Sequence, residues 1–235
     1  MHFGQPLIKG KMVKRYKRFF ADVELEGTLV TAHCPNTGSL KTCWQEGKVA
    51  YLSESKNPDR KLKYTLELTE SPTGVLVGVN TAWPNKLVKE AFESKKISDW
   101  SAYDKIEMEV KISKETRLDA CLVKKNGSKC YIEVKNVTLW DQGVALFPDA
   151  ETTRGQKHLK ELMLLKEQGH EAEIIFVIQR GDCHSFSPAV DFDPVYSLLL
   201  KQAFEQGVRI RPLKVQVSPI GLEVTGESLP LLWPT

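Results

Sequence analysis

Asp119, Glu133 and Lys135 lie within one stretch, RLDACLVKKNGSKCYIEVKNV, at residues 117–137. Two apolar runs flank a Lys-Asn-Gly turn, the pattern of a β-hairpin. Alternation assigns the faces: Arg117, Asp119 and Cys121 go with Tyr131, Glu133 and Lys135, and Leu118, Ala120 and Leu122 with Ile132 and Val134. The apolar sets share a face only if paired positions have numbers with an even sum. A two-residue Asn126-Gly127 turn fails this condition. A three-residue loop over 125–127, with Gly127 left-handed, sets Asp119 opposite Glu133, with Lys135 two residues along.

Two carboxylates held face to face repel unless a cation lies between them or one takes a proton. Two acids, completed by water and substrate phosphates, are a common way to hold Mg²⁺. Mg²⁺ or Mn²⁺ there would activate water and offset charge on a phosphodiester, and Lys135 would stabilise the same developing charge. The expected metal ligands are Asp119 and Glu133, with Glu90 as a third acid on a separate helix. The competing reading is a polar face in which Glu133 pairs with Arg117 or Lys135, and Glu90 is a solvated residue near Lys86 and Lys89.

Around the hairpin the pattern predicts an α/β domain with a mixed sheet. PNKLVKEAFESKK (84–96) opens with a first-turn proline and sets Leu87, Val88, Ala91 and Phe92 on one helical face. IEMEVKI (106–112) alternates as a strand. TTRGQKHLKELMLLKEQG (152–169) is a helix capped by Thr152 or Thr153 and ended by Gly169. Gln156 and Lys157, in its first turns, suit a phosphate. EIIFVIQ (173–179) has the unbroken apolar centre of a strand covered on both faces. A helix over 193–207 and a strand over 208–217 follow, and the step from 131 to 179 should cross over right-handedly.

The first 82 residues read differently. RFFADVEL, TLVTAHC, KVAYLSES, KYTLELTES and GVLVGVN are short strands divided by turn signals, which suggests a small OB-like barrel. This segment has 12 Lys/Arg against 8 Asp/Glu, whereas residues 83–235 have 21 against 22, for a total of +3 over 235 residues. A basic half invites a polyanionic partner. KRYKRFF (14–20), taken as a strand, mixes cations and aromatics on both faces, as single-stranded nucleic acid requires. Arg15, Tyr16, Lys17 and Arg18 are the expected binding surface, Phe20 is expected to be buried, and Lys61 and Lys63 add a second basic edge.

Five cysteines, without CxxC or Cys/His metal spacing, fit reduced thiols, and no segment resembles a leader or membrane span, so a cytoplasmic protein is expected. His33 beside Cys34 raises a cysteine-dependent enzyme as a third reading, but neighbouring strand residues face opposite ways and cannot form a dyad. His158 reads as a surface or packing residue of its helix.

RYKRFFADV (15–23), HCPNTGSL (33–40), VNTAWPNKLVKEA (79–91), RLDACL (117–122), YIEVKNVTL (131–139) and FPDAETTRGQKHLKEL (147–162) together resemble the sugar fermentation stimulation protein family of bacteria and archaea, in order and nearly end to end. The resemblance implies an OB-like domain over 1–82 and a restriction-endonuclease-like, PD-(D/E)xK domain over 83–235. It also implies nucleic-acid binding and a role in regulating sugar use in enteric bacteria. Asp119, Glu133 and Lys135 match the nuclease-type signature, with Arg117 and residues 156–158 beside it. Asp119 follows Leu118 rather than proline, and the true Pro148-Asp149 pair comes after the third strand. The expected activity is metal-dependent cleavage of nucleic acid, with DNA foremost and a single strand plausible. The alternative is a DNA-binding regulator of sugar metabolism without hydrolysis.

Overall fold

A computed structural model describes residues 1–113 and 116–234. The first half is an all-β barrel built from β1 (Ile8–Tyr16), β2 (Phe20–Leu25), β3 (Thr28–His33), β4 (Val49–Glu54), β5 (Tyr64–Glu70) and the short β6 (Leu76–Gly78). The order β3-β2-β1-β4-β5-β6 closes through an additional β3–β5 pairing, which runs parallel at Ala32–Tyr64 and His33–Thr65. Closure removes the exposed edges, and Met12, Val23, Leu52 and Leu66 fill the interior. IKGKMVKRY forms β1, a full strand beyond the five expected; its basic residues alternate with the buried Gly10 and Met12.

The second half is an α/β domain built on a mixed sheet. Its six-stranded sheet has the order β15-β14-β12-β9-β8-β7, from β7 (Lys105–Lys111), β8 (Arg117–Val123), β9 (Lys129–Val137), β12 (Glu171–Ile178), β14 (Arg209–Ser218) and β15 (Gly221–Ser228). The β9, β12 and β14 strands are parallel to one another, and the other neighbours are antiparallel. A small sheet of β10 (Leu139–Asp141), β11 (Val144–Phe147) and β13 (Ser185–Pro188) sits beside it. One face packs on α2 (Thr153–Glu167) and α3 (Pro194–Glu205), and the other on α1 (Trp83–Glu93). Central β12 is buried along nearly its whole length, as its apolar run predicts. Thr152 caps α2 by accepting the Gly155 N–H, and Gly169 follows the helix at φ 86°.

The fully buried Arg180 ties the halves together. Its Nη1 donates to Thr138 O at 2.9 Å and to Thr42 Oγ1 at 3.3 Å, while its Nε donates to Asp182 Oδ1 at 2.7 Å. Among the described residues no helix is long and apolar enough to cross a membrane.

A candidate metal centre and a candidate nucleic-acid interface

The hairpin register comes out as the apolar pattern requires. Lys124 N bonds Ser128 O at 2.9 Å, Gly127 has φ 85°, and the ladder runs from Val123–Lys129 to Ala120–Ile132. It stops one pair short of Asp119 and Glu133. There the Asp119 carboxylate itself takes the Val134 N–H at 2.7 Å. Ala120, Leu122, Ile132 and Val134 pack together against α1, while Leu118, beyond the last ladder pair, joins the opposite cluster.

The two acids have different surroundings. Asp119 Oδ1 accepts from Asn85 Nδ2 at 2.9 Å, so α1 fixes one oxygen and β9 the other. Burial, and behind it the charge of Glu133, holds the Asp119 carboxyl above the usual aspartate range. Glu133 is only 3% exposed. Burial opposes its charge, but His158 and Lys135 outweigh burial and hold its pKa below the usual value. Both donors lie on one oxygen: Lys135 Nζ is 2.6 Å from Glu133 Oε1, and His158 Nδ1 bonds the same atom. Glu133 Oε2 is buried with no partner among the described residues. The Tyr196 hydroxyl is likewise buried and unpaired among them, and its titration is raised by burial and then by the charge of Glu133.

The structure places the other expected residues as follows. His158 takes the packing alternative: with Gly155, Leu162 and Leu165 it forms the inner face of α2. Glu90 does not join the acids, because its carboxylate bonds the Met1 amino group at 2.6 Å. Arg117 is exposed, 3.7 Å from Glu109. Gln156 holds the cap residue of α3, Asp193, at 3.0 Å, and Lys157 lies exposed on α2. Asn85 carried no signal in the sequence.

On the barrel, KRYKRFF is not one strand. The strand β1 ends at Tyr16, and Lys17 and Arg18 adopt left-handed backbone at φ 48° and 63°, turning the chain through an exposed Phe19 into β2. Phe20 is only half-buried, stacked on Tyr16 at 5.5 Å, with Lys14 over the Tyr16 ring at 5.3 Å. Arg15 turns inward, donating to the carbonyls of Ser39, Arg18, Asn36 and Gly38. Lys61 is exposed, and Lys63 pairs with Glu54 at 2.8 Å. All five cysteines are buried and free, which argues against the cysteine-dependent reading.

The family model of the sugar fermentation stimulation protein RE domain matches residues 82–221, and that of the SfsA N-terminal OB domain matches residues 13–79. The sugar fermentation stimulation protein homolog of Bdellovibrio bacteriovorus is 54% identical over 241 residues, covering 98% of this chain and 99% of the relative. The homolog of Geotalea uraniireducens is 48% identical over 228 residues, covering 97% and 98%. The solved structure of Pyrococcus furiosus SfsA in complex with Ca²⁺ superposes with a TM-score of 0.88 at 27% identity, covering 99% of this chain and 98% of that one.

Proposed function

Because the chain belongs to the sugar fermentation stimulation protein family, we propose that it binds nucleic acid and carries a divalent-metal-dependent phosphodiesterase site. The nucleic-acid-binding barrel would occupy residues 1–82 and the nuclease-like domain residues 83–235.

The observation that carries this reading is Glu133 Oε2, a buried carboxylate oxygen with no donor among the described residues. Leaving such an atom unpaired is costly, and a cation beside Asp119 would relieve it. Asp119 and Glu133 would hold Mg²⁺ or Mn²⁺, hard cations that suit an all-oxygen set completed by water and phosphate. The described residues contain no group of three or more His, Cys, Asp or Glu able to hold a metal, so a bound ion would keep positions open for substrate. The Pyrococcus furiosus relative was solved with Ca²⁺, which shares this preference for oxygen. When bound, the ion supplies Lewis acidity that offsets charge on the phosphodiester.

The chain's own residues would do the rest. The Lys135 ammonium, held on Glu133 at 2.6 Å, would stabilise the anionic transition state. Asn85 and the Val134 N–H hold Asp119 in its orientation. Lys17, Arg18 and Phe19 project from the barrel, where cations and an aromatic ring suit the backbone and bases of a single strand.

The test is cleavage of end-labelled single- and double-stranded DNA and RNA with Mg²⁺, Mn²⁺ or EDTA, alongside Glu133→Gln. Metal-dependent cutting by the wild type, lost in Glu133→Gln while binding persists, is the expected result. Binding without cutting under every condition would sink the phosphodiesterase reading and leave a DNA-binding regulator.

A further inference from the structure

Between the barrel loop at 36–39 and the segment at 147–152 lies a cleft of about 330 Å³. Arg18, Asn36, Thr81, Asn136, Asp149 and Thr152 are among its lining residues. We propose that this cleft is a nucleotide subsite, which takes the base and sugar of a single-stranded nucleotide next to the phosphodiester presented to Asp119 and Glu133. The inference rests on the function proposed above and adds where the strand sits.

Position is the first argument. Three elements run into the cleft, and each carries a residue of the acid site close by. On β9, Asn136 follows Lys135 directly. Thr81 stands just before α1, which carries Asn85. Thr152 caps α2, which carries His158. At roughly 3.3 Å per strand residue, Asn136 lies about 10 Å along β9 from Glu133, with its side chain on the opposite face of the strand.

Lining chemistry is the second. Arg18 is the one cation among the lining residues, against the carboxylates of Asp149 and Glu151, so a phosphate would be poorly received here. Amides and hydroxyls suit base edges and sugar hydroxyls instead. Asn136 Oδ1 accepts from Gln179 Nε2 at 2.6 Å, which leaves the Asn136 amide N–H groups as donors. Asp149 receives the Ser39 N–H on Oδ2 at 2.8 Å, which leaves Oδ1 as an acceptor. Phe147 adds an apolar wall. The volume suits one small molecule rather than a duplex.

The third argument is that the cleft is held open in advance. The Gly38 N–H bonds Asn36 Oδ1 at 2.8 Å, and a Cβ at Gly38 would overlap Asp149 Oδ2, so the loop seats on Asp149 only with glycine there. From the rim, the strand would leave past Arg18 and Lys17 toward Phe19, which supplies the phosphate and stacking contacts that the cleft lacks.

The experiment is carried out in EDTA, so that binding is read without cleavage. Single-stranded 12-nucleotide DNA and RNA probes carrying one photoreactive thio-base are crosslinked to the full chain, and the products are mapped by mass spectrometry. Thr37→Trp and Ala150→Trp fill the cleft from two exposed positions on opposite walls. The expected result is crosslinking to peptides containing Asn136 or Phe147. In both variants that crosslink should be lost and binding weakened at least tenfold, with unchanged melting temperature. Crosslinks confined to other peptides would overturn the subsite and leave the proposed function standing. Failure of the wild type to bind any strand would overturn both.

Discussion

Asn85, in the first turn of α1, donates its amide to Asp119 Oδ1 at 2.9 Å across 34 positions of sequence. The bond links the helix that leaves the barrel to a proposed metal ligand, so the barrel-side chain contributes to the shape of the acid site.

Replacing Asn85 with alanine should therefore loosen Asp119. Outer-shell partners of this kind affect metal affinity by roughly 10–100-fold. Titration calorimetry with Mn²⁺, without nucleic acid, should show a loss of about tenfold or more; an unchanged Kd would remove Asn85 from the site.

His158→Ala removes one of the two side chains that hydrogen-bond a buried carboxylate oxygen. Losing a partner of a buried charged group costs about 1–3 kcal/mol. Urea denaturation should show that loss, while Lys160→Ala, on the exposed face of the same helix, should stay within about 0.5 kcal/mol. Equal effects would mean that His158 does not support Glu133.

Asp193 caps α3 through the Tyr196 N–H at 2.8 Å and also takes the Thr152 N–H at 2.9 Å and the Gln156 amide. Burial works against its charge, yet these donors hold its pKa below the usual aspartate value. A depressed pKa gives stability that is present above the unfolded value and lost as pH falls through the folded one. Asp193→Ala should cost about 0.5–2 kcal/mol at neutral pH. The gap from the wild type should narrow as pH falls below the ordinary aspartate value of about 3.9; a gap that does not change with pH contradicts the assignment.

The basic turn separates two roles. Lys17→Gln with Arg18→Gln should flatten the salt dependence of single-strand binding, by about 0.7 in log–log slope for each phosphate no longer neutralised. Arg15→Gln should act on the fold instead, because its guanidinium serves four carbonyls, and should lower the melting temperature. Anisotropy titrations across a salt series, paired with thermal melts, tell the two apart. A slope that responds to Arg15 alone would reverse the assignment.

Burial pushes the thiols of Cys43, Cys130 and Cys183 up to about 12 and that of Cys121 to about 11. A disulfide reagent should label none of the five buried cysteines in the native protein within minutes and all five after denaturation. Rapid native labelling would reopen the cysteine-dependent reading.

Much of this protein was legible because it depends on local periodicity. The side-chain period of two fixes which hairpin faces coincide, and a left-handed Gly127 makes the required loop length attainable. A capping threonine, a terminal glycine and an unbroken apolar run likewise specify α2 and β12 without reference to the rest of the chain. The spacing of His158 on α2 allowed either a surface or a packing position, and only the packed helix settles it as inward-facing.

What sequence could not decide is which polar groups meet across long separations. Arg15 turns inward to donate to carbonyls of the 36–39 loop, and the turn at Lys17 breaks an alternation that looked continuous. Glu90 has the right chemistry for a ligand, but α1 directs it away from the acids and brings up Asn85. Residue types and spacing determined that a barrel and a mixed sheet would form and that two acids would meet on a hairpin. The packing of α1 and α2 against that sheet decided which oxygen of each acid is pinned and that Glu133 Oε2 has no partner among the described residues, because hydrogen-bond partners are assigned by three-dimensional proximity and not by order along the chain.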